Sequence, residues 1–418
     1  MKPVFCAAAD DDTGATDLAG MLSGEGLRTV LVIEGPIERW ADGYEAVIVG
    51  TGSRALSPAE AYSRTREAIH GLRALDPRVI AIKYCSTFDS TAKGNIGPSL
   101  DAALDETGQP FTVALPALPV NGRTTYMGHH FVYRQLLSES PMRDHPLTPM
   151  RNPDLISHLQ SQTSRTVGLA EYPVTPEKLQ RLRDQGCGIA VLDCISDADL
   201  EDICEAIADL PLISGSSAPG MKLPAIWRRR GWWNPQGNDL RLTGAPGCGC
   251  LIVAGSCSQA TSAQNQWAEQ QGVRTCVLHP LALLAGEARV PVPTPGSNLL
   301  LRTASTRSDI EAVGKWAAEA GEGASQIGLR IAYALARIVL QVVEAAHPAG
   351  LIVAGGETSG AVCRTMGLSA LEVGRNIEPG VPLCRSLGRF QLPVVLKSGN
   401  FGGVDFYGRA MEAIARLR

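Results

Sequence analysis

Short apolar runs that alternate with helix-like segments are the feature that most constrains the fold of this chain. In the first half such runs lie at 4–8, 29–33, 46–50, 79–83, 111–115 and 188–192. Each has the length and composition of a strand buried on both faces, as parallel strands are. Helical patterns separate the runs, for example at 17–24. The alternation predicts an α/β fold with mostly parallel sheets.

A second series of the same kind follows a break in the pattern. The segment 227–249 is polar, rich in Gly and Pro, and contains three Trp and four Arg. After it, strand-like runs lie at 251–254, 274–278, 299–303, 351–354 and 394–397, with a helical pattern over 325–346. We interpret the chain as two α/β domains, 1–226 and 250–418, joined by a connecting segment at 227–249, with an active-site cleft between the domains.

The charge balance excludes one broad class of function. The 38 Lys and Arg are outnumbered by 42 Asp and Glu, a net charge of −4, which excludes a nucleic-acid binder held by a basic surface. No uninterrupted apolar run approaches the about 18 residues of a membrane span, and the N-terminus lacks the pattern of a secretion signal. The 11 Cys form no CxxC pair, which favours reduced thiols. We therefore expect a cytoplasmic protein that binds neither nucleic acid nor membrane.

Three consecutive aspartates follow the first strand, within AADDDTGATD at 8–17. Polar residues at the carboxyl end of a parallel strand lie where open α/β sheets bind ligands. Thr13 and Gly14 then open a helix, whose N-terminus attracts anions. Two interpretations stay open: a solvated helix cap, or an acid cluster that binds hydroxyls or acts as a general base.

Two further polar segments follow predicted strands. Arg54 carries a planar guanidinium suited to a carboxylate, although a loop Arg is commonly part of a surface ion pair. The segment KYCSTFDSTAKGNIG at 83–97 concentrates two Lys, four Ser or Thr, one Asp and one Asn, and we predict that it is functional. Between 116 and 149, Arg123, Arg143 and His145 fit either further anion ligands or an ordinary surface loop stiffened by prolines.

Glycine-rich turns mark the second half. AGSCSQ at 254–259, AGGETSG at 354–360 and SGNFGG at 398–403 each follow a predicted strand. Such turns can direct backbone N–H groups at phosphate oxygens, and three of them in one domain indicate a nucleotide site. The sequence contains neither GxxxxGK[ST] nor GxGxxG, so the standard P-loop and dinucleotide interpretations fail. Glu357 and Asp405 are the candidates to hold Mg²⁺ through water or phosphate.

On these motifs the chain resembles the four-carbon acid sugar kinase family over essentially its whole length. The motifs that carry the resemblance are, in chain order, ADDDTGATD, KYCSTFDSTAKGNIGP, PALPVNGRTTY, MRDHPLTPM, GSCSQ, AGGETSG, EPGVP and LKSGNFGG. Their number, order and spacing argue against a chance match. The second and third motifs resemble the 3-oxo-tetronate 4-kinase branch of the family.

The resemblance implies a kinase that transfers phosphate from ATP, with Mg²⁺, to the terminal hydroxyl of a four-carbon sugar acid, foremost 3-oxo-tetronate. It implies an N-terminal sugar-acid domain, a C-terminal nucleotide domain and a partner enzyme that decarboxylates the product. The implied catalytic residues are Asp10, Asp11 and Lys83. The implied substrate-binding residues are Asp10, Asp11, Arg54, Lys83, Ser86, Asp89, Lys93 and Arg123. The implied nucleotide-binding residues are Ser256, Ser258, Gly355, Gly356, Glu357, Thr358, Ser359, Gly360, Lys397, Ser398, Gly399, Asn400 and Gly402. Metal ligands stay unassigned.

One position departs from the family pattern. Asp12 stands where the relatives carry an apolar or aromatic residue, which leaves the choice of sugar acid open. D-threonate, L-threonate or D-erythronate kinases are the alternatives, and a sensor that binds a sugar acid without consuming ATP is a second one. A homodimer is compatible with a kinase of this size. An anionic substrate beside an anionic nucleotide needs compensating cations, and we expect the cleft to close around both.

Overall fold

The computed structural model describes residues 2–54, 56–145, 148–235, 249–291, 293, 296–304 and 306–417. These residues fall into two compact units, one within Met1–Val32 and Pro36–Asn238, the other within Ile33–Gly35 and Asp239–Arg418. Most of the predicted connecting segment, 236–248, lies outside the described residues. Its first residue packs inside the first unit: Trp227 is fully buried, with its ring centroid 5.7 Å from that of Phe5.

The first unit is built on a parallel sheet. Its strands are β1 (Phe5–Ala9), β2 (Thr29–Val32), β3 (Ala46–Gly50), β4 (Val79–Lys83), β5 (Thr112–Leu115), β6 (Arg123–Tyr126), β7 (His129–Val132), β8 (Gln135–Leu136), β9 (Val167–Ala170), β10 (Ile189–Leu192) and β11 (Leu212–Gly215). Its helices are α1 (Asp12–Gly24), α2 (Glu38–Ala41), α3 (Pro58–Ala74), α4 (Ile96–Thr107), α5 (Leu155–Gln160), α6 (Pro176–Asp184), α7 (Asp197–Ile207) and α8 (Leu223–Arg229). The sheet order is β2-β3-β1-β4-β11-β5-β10-β9, while β6-β7-β8 form a small antiparallel sheet.

The second unit has a parallel sheet with an antiparallel extension. Its strands are β12 (Leu251–Ala254), β13 (Arg274–Leu278), β14 (Leu299–Thr303), β15 (Leu351–Ala354), β16 (Leu368–Glu378), β17 (Val381–Gly388) and β18 (Pro393–Lys397). Its helices are α9 (Gln259–Gln270), α10 (Pro280–Leu284), α11 (Arg307–Ala320), α12 (Ala324–Ala346), α13 (Gly356–Met366) and α14 (Phe406–Ala415). The order is β13-β14-β12-β15-β18-β17-β16, in which β17 runs antiparallel to both of its neighbours.

The predicted α/β class with mostly parallel sheets is confirmed. The five-residue run of β1 is buried throughout, and the four residues of β12 and β15 are likewise buried, as strands covered on both faces must be. The long antiparallel pair β16 and β17 was not predicted. Its turn contains the EPGVP motif, where Gly380 takes a φ of 77° that favours glycine.

Within the part of the chain that the structure describes, one helix combines the length and apolar composition that a membrane span would need. It is the stretch Gln326–Ala346 of α12, and 44% of its most apolar window is buried inside the protein. Leu335, Val339 and Val343 of this helix are buried, on the helical spacing of one face. The helical pattern predicted over 325–346 is confirmed as a helix with a packed face.

Candidate active site

Three loops of the first unit start side by side because β1 lies between β3 and β4. Ala9 is in register with Gly50 on one side and with Lys83 on the other. The residues that follow these strand ends, beginning with Asp10, therefore meet at one edge of the sheet. Strand order changes direction here, and this is where open α/β sheets bind ligands.

A partly buried ion pair forms at this edge. Arg54 donates from Nε to Asp10 Oδ2 at 2.8 Å and from Nη2 to Asp10 Oδ1 at 2.7 Å, while Nη2 also donates to Asp11 Oδ1 at 2.8 Å. The Asp10 side chain is 6% exposed and that of Arg54 is 24% exposed. Bidentate pairing fixes the geometry of both groups. The sequence assigned Arg54 to a substrate carboxylate; the described structure pairs it with the protein's own carboxylates, and Nη1 takes no part in these bonds.

Asp11 also caps α1. Its Oδ1 accepts from the Gly14 backbone N–H at 2.8 Å and its Oδ2 from the Thr13 hydroxyl at 2.7 Å. An aspartate at this position satisfies backbone donors that the first turn leaves open. The helix therefore begins at Asp12, five residues before the helical pattern. The cap interpretation is confirmed for Asp11. Asp11 also belongs to the charged cluster, and a role of that cluster as hydroxyl ligand or general base stays a prediction.

Lys83 brings a second cation to the cluster. Its Nζ donates to the Tyr84 carbonyl at 3.0 Å and lies 3.9 Å from Asp17 Oδ2, and its side chain is 3% exposed. Burial raises the pKa of Asp17, with Lys83 acting against that rise. Asp17 was missed from sequence, although it closes the DDDTGATD motif at a position one helical turn from Thr13.

Gly14 leaves the space in which these charges converge. A Cβ at this position would lie 2.4 Å from Asp11 Oδ1, 3.0 Å from Lys83 Nζ and 3.6 Å from Arg54 Nη2. Two cations and a carboxylate thus surround the start of α1, and any side chain at Gly14 would collide with them.

Burial and pairing act in opposite directions on the two carboxyl groups. Burial raises the pKa of Asp10, and the Arg54 guanidinium offsets only part of the rise. Burial also acts on Asp11, but Arg54, Lys83 and two hydrogen bonds outweigh it and lower the pKa. Although burial opposes it, the two carboxylates raise the pKa of Arg54 well above its usual value. Asp10 is therefore the stronger base, and Asp11 is held ionised.

Asp12 packs against the end of β3. It is 5% exposed, and a Cβ at Gly50 would lie 2.1 Å from Asp12 Oδ1. The carboxylate therefore packs against the end of β3, where only a residue without a side chain leaves room for it.

The other predicted substrate ligands make contacts of their own. Asp89 is buried, and its Oδ1 accepts from the Thr87 hydroxyl at 2.5 Å. Ser86 is half-buried and Lys93 is exposed. None of the hydrogen bonds in the described residues joins these three to the Asp10–Arg54 pair.

Arg123 lies on the small antiparallel sheet. Its guanidinium contacts the Asn121 carbonyl and lies over the Tyr133 ring, 5.4 Å from the ring centroid. Arg143 is exposed, and His145 Nδ1 accepts from the Thr148 backbone N–H at 3.1 Å. Arg123 thus contacts residues of its own neighbourhood, whereas Arg143 and His145 are surface-loop residues.

Three side chains that the sequence analysis did not select hold the segment 83–97 in place. His130 Nε2 donates to the Ser86 carbonyl at 2.8 Å, and His158 Nε2 donates to the Ser90 carbonyl at 2.9 Å. Gln162 forms three hydrogen bonds with the same segment, at 2.9–3.2 Å. Both histidines thus have ordinary hydrogen-bonded roles that position this segment.

Asn95 of the same segment lines a small cavity. Both polar atoms of its amide are buried without a hydrogen-bond partner among the described residues. Asp10, Ser53 and Lys83 help to line this cavity of about 10 Å³. That is the room one water molecule needs, so the cavity is too small for a sugar acid.

The buried neutral His130 predicts an acid-sensitive stability. Burial lowers its pKa to about 4, against about 6.5 in an unfolded chain. Between these values the unfolded state binds the proton and the folded state does not, so stability is lost as pH falls. We expect His130 to contribute a loss of about 2 kcal/mol between pH 7 and pH 5, measured by urea unfolding of wild type and His130→Gln. Exposed His129→Gln is the control, and an unchanged pH slope in His130→Gln would contradict the prediction.

In the second unit the three glycine-rich turns also start side by side. Ala254 is in register with Ala354, and Ala354 is in register with Lys397. The segments AGSCSQ, AGGETSG and SGNFGG, predicted separately from sequence, therefore leave one edge of the sheet together. This adjacency follows from the sheet order β12-β15-β18.

Side chains on one face of α9 donate hydrogen bonds to the backbone carbonyls of the turn that follows β18. Ser258, the N-cap of α9, donates to the Gly399 carbonyl at 2.6 Å, and Thr261 Oγ1 donates to the same oxygen at 2.8 Å. Gln264 Nε2 lies 3.0–3.1 Å from the carbonyls of residues 401–403. Thr261 and Gln264 were missed from sequence, although the spacing of three residues from Ser258 places all three on one side of a helix.

The turn after β15 starts α13 with glycine in a conformation that other residues avoid. Gly355 has a φ of 122° and is the N-cap of α13. A Cβ there would lie 3.2 Å from the backbone nitrogen of Ser256 and 3.2 Å from Thr358 Oγ1. Gly356–Gly360 form the first turns of this helix, which present backbone N–H groups suited to phosphate.

The candidate magnesium residues differ in their surroundings. Glu357 lies in the first turn of α13 and is exposed. Asp405 Oδ1 is 3.4 Å from Arg409 Nε. Within the described ranges, no group of three or more His, Cys, Asp or Glu side chains could hold a metal ion.

Comparison with known proteins matches the first half of the chain to a sugar-binding domain and the second half to a nucleotide-binding domain. A family model for a sugar-binding N-terminal domain matches residues 5–223, and one for a nucleotide-binding C-terminal domain matches residues 251–407. A protein of Pseudomonas fluorescens named 3-oxo-tetronate kinase is 41% identical, and the match covers 99% of this chain and 98% of the relative. The chain belongs to the four-carbon acid sugar kinase family. A Burkholderia multivorans 3-oxo-tetronate kinase is 40% identical over the same shares.

Solved structures extend the likeness of this four-carbon acid sugar kinase to three dimensions. A Salmonella typhimurium protein aligns with a TM-score of 0.79 and 32% identity, over 97% of this chain and 98% of that one. A Haemophilus influenzae protein aligns with a TM-score of 0.73 and 30% identity, over 98% and 100%. The family membership and the α/β architecture thus agree.

Proposed function

We propose that the chain is an ATP-dependent kinase that phosphorylates the 4-hydroxyl of 3-oxo-tetronate. The observation that carries the proposal is the pairing of Arg54 with Asp10 and Asp11 at the ligand-binding edge of the first sheet. Relatives named 3-oxo-tetronate kinase, similar over nearly the whole chain, support this substrate. D-threonate, L-threonate or D-erythronate is the alternative acceptor, and a non-catalytic sugar-acid sensor is the second alternative.

The first unit is proposed to hold the acceptor. Carboxylates accept hydrogen bonds from sugar hydroxyls, while Arg54 Nη1 and Lys83 supply positive charge for the acid group. Asp10, the stronger base, takes the proton of the 4-hydroxyl as its oxygen bonds to the γ-phosphorus. The bond from that phosphorus to the β–γ bridging oxygen breaks, and ADP leaves. Ser86, Asp89, Lys93 and Arg123 stay proposed as further substrate ligands.

The second unit is proposed to bind ATP. The phosphates would lie on the turns 256–258 and 398–402 and at the start of α13, where backbone N–H groups and the helix N-terminus favour anions. Bound Mg²⁺ would neutralise charge on the transferring phosphates. Glu357 fits such a cation better than Asp405, because no ion pair among the described residues engages Glu357 whereas Asp405 already pairs with Arg409. Transfer then requires acceptor and nucleotide to be brought together with water excluded.

The product chemistry suggests a partner. A 3-oxo acid loses CO₂ readily, so an enzyme that decarboxylates 3-oxo-tetronate 4-phosphate is the proposed next step. A cytoplasmic location and a homodimer are proposed with it.

A substrate panel tests the function. With MgATP, we expect ADP release on 3-oxo-tetronate at least about 100-fold faster, in kcat/KM, than on D-threonate, L-threonate or D-erythronate. The unoxidised acids present a tetrahedral carbon and a hydroxyl donor where 3-oxo-tetronate presents a planar carbonyl acceptor, so a site fitted to the one leaves polar groups unpaired with the other. The measurement is coupled ADP detection, with 31P NMR of the product to locate the phosphate. Faster ADP release on D-threonate, L-threonate or D-erythronate would show that this unoxidised acid, and not 3-oxo-tetronate, is the substrate. Binding of a sugar acid without ADP release on any of them would favour the sensor.

A further inference from the structure

Lys397 is a fully buried cation behind the turn that follows β18. Its side chain has no exposed surface. Nζ donates to Thr261 Oγ1 at 3.1 Å, to the Ser398 carbonyl at 3.0 Å and to the Gly399 carbonyl at 3.2 Å. An ammonium group has three N–H donors, so these three acceptors use all of them. The sequence prediction that Lys397 contacts a phosphate would require one of these bonds to be given up.

The three partners of Lys397 are all neutral. α9 contributes the Thr261 hydroxyl, and the turn contributes the Ser398 and Gly399 carbonyls. Among the described residues no Asp or Glu forms an ion pair with Lys397. Lys83, at the matching strand end of the first unit, instead lies 3.9 Å from the Asp17 carboxylate. Burial, with no charge to offset it, lowers the pKa of Lys397 to about 7, because a cation away from water and without a partner is costly.

We propose that Lys397 is a positioning residue of the nucleotide site, which holds the turn 398–400 by its carbonyls and receives its counter-charge from the phosphates of the bound nucleotide. The inference rests on the proposed function, since it takes a nucleotide as the ligand. Lys397 shares this positioning role with two side chains of the α9 region, because the Gly399 carbonyl accepts hydrogen bonds from Ser258, Thr261 and Lys397. The charge acts through this turn, without direct contact between Nζ and a phosphate.

The proposal predicts that nucleotide binding takes up a proton. Above neutral pH a large fraction of Lys397 is uncharged in the free protein. The negative phosphates favour the charged form, so binding draws a proton from solution. Nucleotide phosphates themselves are fully ionised at pH 8, which assigns the uptake to the protein.

Calorimetric titration with MgADP at pH 8, in HEPES and in Tris, tests this. Because the two buffers differ in ionisation enthalpy, proton uptake appears as a buffer-dependent binding heat. We expect wild type to show uptake and Lys397→Met to lose it, with ADP affinity weakened about 10- to 100-fold, as for a hydrogen bond to a charged group. Exposed Lys315→Met should match wild type in both respects.

A second variant covers a folding failure of Lys397→Met. Thr261→Val keeps the ammonium but removes one acceptor and one donor to Gly399, so it should weaken ADP binding while retaining the uptake. Equal affinity in Lys397→Met and wild type, or no uptake in wild type, would overturn the positioning role. Absence of ADP binding in wild type would instead overturn the proposed nucleotide site. Circular dichroism of each variant verifies the fold.

Discussion

Replacing Arg54 by methionine is expected to lower kcat/KM for the sugar acid by about 10²- to 10⁴-fold, because removing one partner of a buried ion pair leaves the other uncompensated. Two carboxylates, Asp10 and Asp11, share the guanidinium through three hydrogen bonds. Without it they repel each other and lose the geometry that binds the acceptor hydroxyls. The measurement is steady-state kinetics across sugar-acid concentrations at saturating ATP.

The Arg54 variant should also acquire a characteristic pH dependence. With the cation gone, burial raises the pKa of Asp10 further above its unfolded value, and the pKa of Asp11 loses one of the interactions that lower it. A group whose folded pKa is raised stabilises the protein at low pH and loses that contribution as pH rises. Relative to wild type, Arg54→Met should therefore be more destabilised at pH 8 than at pH 5 in urea unfolding.

Two further variants isolate the cause. Arg54→Lys keeps the charge but cannot form the bidentate pair, so it should recover stability better than activity. Arg66 is the matched control: it lies on α3, its side chain is 58% exposed, and its Nε is 3.0 Å from Glu106. Because surface pairs contribute little, Arg66→Met should keep wild-type kinetics. Wild-type kcat/KM in Arg54→Met would show that the pair has no part in catalysis.

The second large effect is expected at Gly355. Gly355→Val should weaken ATP binding by about 10²-fold or more, since a displacement of about 1 Å at a positioned group can cost that much. The φ of 122° is adopted readily only by glycine. A side chain would also press on the backbone nitrogen of Ser256 and on Thr358 Oγ1, each 3.2 Å from the Cβ position. Both the start of α13 and the neighbouring turn would therefore shift.

Separate titrations with MgADP and with the sugar acid distinguish a local effect from unfolding. The acid cluster belongs to the first unit, so sugar-acid affinity should stay within about twofold of wild type. Gly314 supplies the control, because it is exposed on α11 and a Cβ there would meet nothing within 4 Å. Gly314→Val should bind MgADP as wild type does. If Gly355→Val bound MgADP with wild-type affinity, the turn at Gly355 would not be part of the nucleotide site.

Local sequence determined which strands, caps and glycine turns form the site, but not which of them lie side by side. The strands of both parallel sheets were predictable wherever a short run is apolar throughout, because burial on both faces leaves a continuous apolar run. The capping role of Asp11 and the glycine requirement at 355 are likewise local, since each depends on backbone geometry within a few residues. The family motifs supplied the kinase expectation.

Sheet order had to come from the tertiary structure. β1 pairs with β3 and β4, and β15 with β12 and β18, pairings between segments far apart in sequence that periodicity does not encode. That order brings Arg54 to Asp10, and it turned an expected substrate ligand into the partner of two carboxylates. The support of the turn after β18 by Thr261 and Gln264 depends on the same long-range packing. Residue types and turns were therefore predictable because they are local, whereas the partners of buried charges were set by which strands lie side by side.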